Sequence, residues 1–339
     1  MIERIFTSEL SRKRWRRFKS KRASFFSIWL LLAITIFSAS AELWSNSKPL
    51  VLHYHDQTYF PVFNQYHPSN FGRTDIMVMD YHQLQLDASD WVVWPPVRWD
   101  PVERNESLTE VPSPPTGDNL FGTDDRGRDV FSRLLYGYRY SMGYAISVWF
   151  ICSVVGIFMG AVMGFMGGWV DLIGQRGIEV IESLPWLLIL ITIISIFSPD
   201  LWLLVTFSAV VGWVGISQYI RAEFLKLRKR EFVEAARALG ASRWRQIFIH
   251  ILPNSLTPWI TLTPFSISGS VAGLAALDFL GLGLRAPTPS WGELLSQAKE
   301  NFTTAWWLAV YPSLALFVTM VLLNLIGAGV RDAFDPRKA

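Results

Sequence analysis

Four histidines and three aspartates between positions 53 and 82 are the side chains best suited to hold a divalent metal or move a proton: His53, His55, His67, His82, Asp56, Asp75 and Asp80. A metal centre legible in sequence needs ligands at converging spacings, as in HExxH, and only His53-x-His55 approaches that here. Surface, turn and docking roles fit these residues better than a metal site or a hydrolase. The run Asp124-Asp125-Arg126-Gly127 lacks the alternating oxygen ligands and closing glutamate of a calcium loop. A glycine-rich phosphate loop ending in Gly-Lys-Ser or Gly-Lys-Thr is also absent. The expectation is a chain with no catalytic residue, no metal and no cofactor of its own. Whatever energy it uses comes from a partner.

A second kind of chemistry, recognition, is written into the charged stretch 221–253. Phe232, Ala236 and Leu239, then Trp244, Ile247, Phe248 and Ile251, recur at three- and four-residue intervals with Arg and Glu between them, which predicts two amphipathic helices. Gly240 can take the positive φ that ends the first, and Ser242 can cap the second. Pro253 is expected to stop the second helix. A basic helix-turn-helix on DNA would use Arg228, Lys229, Arg230, Arg237, Arg243 and Arg245, but the flanks leave no soluble domain to hold it. No nucleic-acid partner is therefore expected. A plain charged loop explains the charge but not the helix-Gly-helix periodicity.

The elements around this stretch are apolar. A chain of 339 residues with 51% hydrophobic residues and 16 Trp has its apolar residues in blocks, as membrane insertion requires. Six spans are predicted near 25–41, 142–165, 178–197, 201–219, 260–280 and 306–328. Arg12, Lys13, Arg14, Arg16, Arg17, Lys19, Lys21 and Arg22 precede the first, and Arg331, Arg337 and Lys338 follow the last. An even number of spans then puts both termini and the basic stretch in the cytoplasm. Ser38-Ala39-Ser40-Ala41 also permits a signal-peptide reading of the first block; an uncleaved span is preferred. The lone Cys152 excludes an intrachain disulfide.

The organisation expected is a basic amino end with the first span (1–41), an extracytoplasmic segment (42–140) and a core with five spans (141–339) that contains the charged loop (220–253). Segment 42–140 carries 14 acidic and 8 basic side chains, the opposite balance from the cytoplasmic parts. Asp124, Asp125 and Asp129 are candidates to pair with Arg126, Arg128, Arg133 and Arg139. Trp91, Trp94, Trp99 and Pro95-Pro96 suggest an irregular piece, with a small domain open between positions 48 and 111. Gly156, Gly160, Gly164 and Gly168 recur every four residues, as a close helix-packing seam would require. Asp278, in a stretch of Gly, Ala, Leu and Phe, is either near the outer interface or a polar contact in a pathway.

Three motifs carry a resemblance. Glu234-Ala235-Ala236 with Gly240 and Leu252-Pro253 resembles the EAA loop of ABC importer permeases, and His250-Ile251-Leu252-Pro253-Asn254 is similar to the branch handling dipeptides, oligopeptides and nickel. Gly122-Thr123-Asp124, Gly127-Arg128-Asp129 and Ser132-Arg133-Leu134 resemble the start of that branch's core. So do Phe279-Leu280-Gly281-Leu282-Gly283, Pro287, Pro289, Trp291 and Gly292 near its end. The chain departs where this family often has Ser at position 278 and Glu at Leu274.

The resemblance implies an all-α membrane protein with the type I importer fold: six transmembrane helices, an extracytoplasmic insert after the first, and cytoplasmic coupling helices. Glu234, Ala235, Ala236, Arg237, Gly240 and Arg243 would then meet an ABC ATPase with two nucleotide-binding domains, which binds ATP and Mg. A second permease subunit, an extracytoplasmic substrate-binding protein, a peptide-like substrate and membrane lipid complete the expected partners. Nickel or another small solute is the alternative cargo, and a non-transport scaffold or receptor the alternative class. The implied location is a bacterial inner membrane.

Overall fold

The computed structural model describes residues 9–335. Arg337 and Lys338, used above for the position of the carboxyl end, lie outside the described residues.

In chain order the elements are α1 (Glu9–Ser20), α2 (Arg22–Ala39), α3 (Ala41–Trp44), β1 (Val51–Tyr54), β2 (Gln57–Tyr59), β3 (Trp91–Val93), α4 (Val130–Met166), α5 (Gly168–Ser183), α6 (Trp186–Ile196), α7 (Leu201–Leu227), α8 (Glu231–Ala238), α9 (Arg243–Arg245), a π-helical turn (Gln246–Ile251), α10 (Leu252–Phe279), α11 (Trp291–Glu300) and α12 (Trp306–Phe334). Five stretches are long and apolar enough to cross a membrane: Arg22–Ala39, Val130–Met166, Leu201–Leu227, Arg243–Phe279 and Trp306–Phe334. The expected third span is not one straight helix. It is the pair α5 and α6, bent by 67°. Pro185 supplies the reason: it has no N–H to continue the helix, and it drives Leu184 into extended backbone, ψ 133°.

Contacts divide the chain into two compact units. The first comprises Met1–Leu32, Met142–Leu274 and Phe317–Ala339. Within it the Ser24 hydroxyl donates to the Leu325 carbonyl at 2.7 Å, and Lys21 pairs with Asp332 at 2.8 Å. The Asp200 carboxylate caps α7 by accepting the Leu203 N–H at 2.7 Å.

The second unit comprises Ala33–Ser141 and Ala275–Leu316. It corrects the all-helical expectation with a small antiparallel sheet of order β2-β1-β3. His55 and Asp56, both at positive φ, form the two-residue turn between β1 and β2, and Tyr54 pairs with Gln57 across it. Leu52 stands opposite Tyr59 on one side and Val92 on the other. Leu52, Phe71, Met79 and Tyr81 form the buried centre beneath the sheet. A second cluster gathers Val130, Leu294, Ala298, Trp307 and Leu308, with the Phe121 ring stacked on Tyr311 at 4.2 Å.

Candidate functional site

The charged stretch closes on itself through local hydrogen bonds. Glu231 and Glu234 lie in the first turn of α8, where carboxylates favour the positive end of the helix dipole. Gly240 has φ +80°, its N–H donates to Arg237 O, and the Ala241 N–H donates to Ala236 O, both at 3.0 Å. This pair of bonds is the Schellman ending, which needs a left-handed residue at the position Gly240 occupies. Two residues later the Ser242 hydroxyl accepts the Arg245 N–H at 3.3 Å, and Gln246 Nε2 donates to Ala241 O at 2.8 Å.

The expected apolar face is only partly the buried one. Val233, Gln246, Ile247 and Ile251 are buried, whereas Phe232, Leu239, Trp244 and Phe248 face out, with Trp244 stacked on Phe248 at 5.7 Å. Ile247 and Ile251 sit on the covered side as expected; Leu239 is 89% exposed. An eight-residue helix permits either of two neighbouring stripes to face inward, and Val233 rather than Phe232 fills that place. Glu234, Ala235, Arg237 and Arg243 are exposed, and Ala236 is half-buried. Pro253 does not end the helix. Backbone winding continues through the π turn into α10, where the wider turn eases a residue that offers no N–H, and the Asn254 side chain donates to His250 O at 2.8 Å.

Three of the four glycines meet one partner helix. A Cβ on Gly156 would stand 2.7 Å from Ile216 Cβ, one on Gly160 2.9 Å from Ile220 Cβ, and one on Gly164 2.6 Å from Phe224 Cβ. Each step of four on α4 matches a step of four on α7, so no larger side chain fits between these backbones. Gly168 does not belong to this row. It opens α5 at φ +54°, just after Gly167 at +64°, and a Cβ there meets nothing within 4 Å. At the end of the row, Arg228 Nη1 donates to Gly164 O at 3.2 Å and Phe165 O at 3.3 Å, and Arg221 grips Asp171 with two N–H groups. A cavity of about 620 Å³ opens beside it, lined among others by Trp169, Arg228, Lys229, Glu234, Arg237 and Arg243.

In the other unit Asp278 is buried and engaged. Its Oδ1 accepts the Leu284 N–H at 2.6 Å and its Oδ2 accepts the Ser290 hydroxyl, while Ser290 also accepts the Glu293 N–H that opens α11. Gly283 lies against that carboxylate, which a Cβ would overlap, and Gly292 packs on the Ala275 carbonyl and Asp278 Cβ, where a Cβ would likewise overlap. The carboxylate ties the turn after α10 to the start of α11.

The buried ionic centre of that unit lies elsewhere. Asp124 holds Arg128 at 2.6 Å and Arg133 at 3.4 Å, and Glu293 reaches both guanidiniums. Arg133 Nη1 also donates to Pro101 O at 2.8 Å. Asp129 accepts from Asn119 and Ser132, and burial pushes its carboxyl up. Arg139 pairs with Glu42 rather than with any of the three aspartates. Sequence reasoning named Asp124, Arg128 and Arg133 but missed Glu293, whose distance along the chain gives no local signal. Glu103 is a half-buried carboxyl, pushed up to about 7 chiefly by burial. The histidines do not converge: His53 meets Thr58, His67 meets Ser69, His82 stacks on Trp94 and Trp99, and His55 approaches Asp87 at 3.3 Å.

Comparison with known proteins fits this geometry. Residues 156–339 match the family described as binding-protein-dependent transport system inner membrane component. The chain is 39% identical over 337 residues to the inner membrane ABC transporter permease protein YejE of Escherichia coli, covering 98% of each. It is 35% identical to the peptidoglycan transport system permease protein YejE of Agrobacterium fabrum, over 99% of this chain and 95% of that protein. Similarity to the dipeptide transport system permease protein DppC of Bacillus subtilis is 35%, over 68% of this chain and 73% of that one.

Proposed function

This chain belongs to the family of binding-protein-dependent transport system inner membrane components, and on that premise we propose that it is the permease subunit of an importer for oligopeptides or peptide-like compounds. It is a multi-pass inner-membrane transport subunit and not itself an enzyme. The dipeptide and peptidoglycan systems named among its relatives support a peptide-like cargo.

The mechanism is alternating access. A binding protein delivers cargo on the outer side, the cargo enters between this chain and a second permease subunit, and an ATPase with two nucleotide-binding domains binds ATP and Mg and drives release inward. Both termini and the charged loop lie in the cytoplasm, and the segment containing the β-sheet lies outside. Glu234, Ala235, Ala236, Arg237, Gly240 and Arg243 form the ATPase contact. The observation that supports this contact best is the loop itself: a Schellman-closed turn at Gly240 held by buried Val233 and Ile247, presenting exposed small and charged residues outward. Asp278 acts here as a tie for the turn before α11.

Reconstitution tests the proposal. The chain with its second permease, ATPase and binding protein in vesicles should hydrolyse ATP faster when an oligopeptide is added outside, and should accumulate that peptide. ATP turnover that is indifferent to binding protein and peptide would overturn it.

A further inference from the structure

The cavity beside the coupling loop has an unbalanced lining. Arg228, Lys229, Arg237 and Arg243 face it against a single carboxylate, Glu234. Among the described residues the side chains of Lys229, Arg237 and Arg243 have no ion pair or hydrogen bond, while the nearby Asp171 is engaged by Arg221. Arg228 is oriented by its bonds to Gly164 O and Phe165 O, which leave its Nε and Nη2 without a partner. Unneutralised cations around a concave surface focus a positive potential into it.

The rim is of a different kind. Met166, Trp169 and Val170, where the apolar α4 ends and α5 begins, line the same cavity and are exposed, Trp169 by 78%. Trp beside the end of a membrane helix sits at headgroup level, with acyl chains on its apolar side. A ligand that satisfies both halves carries a phosphate and a hydrocarbon tail. The crest of the loop, with Leu239 and Trp244, does not line the cavity.

We propose that this cavity binds the phosphate headgroup of an anionic phospholipid, with Arg228 and Lys229 on the phosphate, Arg237 and Arg243 closing the side that faces the ATPase, and Trp169 against the first part of the acyl chain. The inference rests on the reading of the chain as a membrane permease and goes beyond it. The bound headgroup joins the α4–α5 turn to the coupling loop, so the lipid becomes a structural part of the cytoplasmic face. Its volume of about 620 Å³ falls within the usual range for small-molecule sites.

The test uses the full chain in detergent, stripped of lipid and titrated with phosphatidylglycerol or phosphatidylcholine of the same acyl chains, with retained lipid read by mass spectrometry of the intact protein. Phosphatidylglycerol should be retained in preference. Lys229→Gln should weaken it about fivefold and the Lys229→Gln/Arg228→Gln pair roughly 25-fold, with Lys229→Arg restoring it. Lys13→Gln on α1, outside the cavity, should leave this binding unchanged. Equal retention of the two lipids, or an equal loss in Lys13→Gln, would overturn the site. Displacement of phosphatidylglycerol by an equal concentration of inorganic phosphate would reassign it to a soluble anion and overturn the lipid assignment. Loss of ATPase co-purification in Lys229→Gln with lipid retention unchanged would give the cavity to the ATPase instead. The lipid readout needs no ATPase, so it stands or falls apart from the transport reading.

Discussion

Arg133 on α4 and Glu293 on α11 are 160 positions apart in the chain and form an ion pair whose guanidinium is fully buried. Arg128 shares Glu293, and among the described residues Asp124 is the other carboxylate that pairs with the two guanidiniums. Breaking a buried pair leaves an uncompensated charge. Glu293→Leu should therefore lower stability by about 3–5 kcal/mol. Thermal unfolding of the purified chain checks this, and a melting curve identical to the parent's would contradict it.

Gly160→Leu forces a branched side chain into the contact between α4 and α7, where the nearest atoms include backbone of Ser217. Overpacking of this kind costs about 1–3 kcal/mol, and more where the obstacle is backbone. The variant should insert into the membrane but assemble poorly and transport less. Normal uptake at normal expression would remove the packing claim.

Gly240→Val places a β-branched residue at φ +80°, a conformation such residues avoid. The expected cost is about 1–2 kcal/mol, localised to the turn. Ala236→Trp enlarges a half-buried position without changing that turn. Both should suppress ATP-driven uptake more than insertion, and co-purification of the ATPase separates failed docking from failed signalling. Parental uptake, ATPase activity and co-purification in both variants would sink the coupling assignment.

Glu103 titrates at about 7 in the fold, against 4.5 for an ordinary glutamate, because burial disfavours its charge. The folded chain thus holds a proton that the unfolded chain releases between those values. Its stability contribution is complete below about pH 4.5 and is lost as pH rises through 7. With partial solvent exposure the effect is on the order of 1–2 kcal/mol. Glu103→Gln should flatten the fall in melting temperature between pH 5 and 8, and an unchanged pH profile would show that Glu103 does not cause it.

Sidedness has a direct assay. Cys152 is the sole native cysteine and is buried, which keeps background labelling low. In intact cells an impermeant thiol reagent added outside should react with Met77→Cys, at a position 95% exposed, and not with Ala235→Cys. The reverse pattern would invert the topology.

Legibility in the sequence followed the range of the interactions. The turn at Gly240 and the cap at Ser242 depend on residues at most five positions apart, so spacing alone reveals them. The glycine row was legible up to Gly164, because a step of four has meaning only while the helix continues, and the paired positive φ values at Gly167 and Gly168 end it. Strands of three and four residues are too short to establish an alternation, which hid the sheet. The pairing of Glu293 with Arg128 and Arg133 has no local signature at all. Pro253 was misread because a proline rule written for regular α-helix does not cover a helix that has already widened into a π turn.

That π turn has a mechanical corollary. From Arg243 to Phe279 the backbone winds for 37 residues with no intervening loop, a rod of about 55 Å. A load applied at its first turn therefore has no slack to take up before it travels along the axis. Compliance is concentrated at three points, Pro253 beside the π turn, Pro258 and Pro264, where the rod lacks backbone donors that stiffen it elsewhere. The loop and the rod behave as a handle and a shaft, and bending is directed to the prolines.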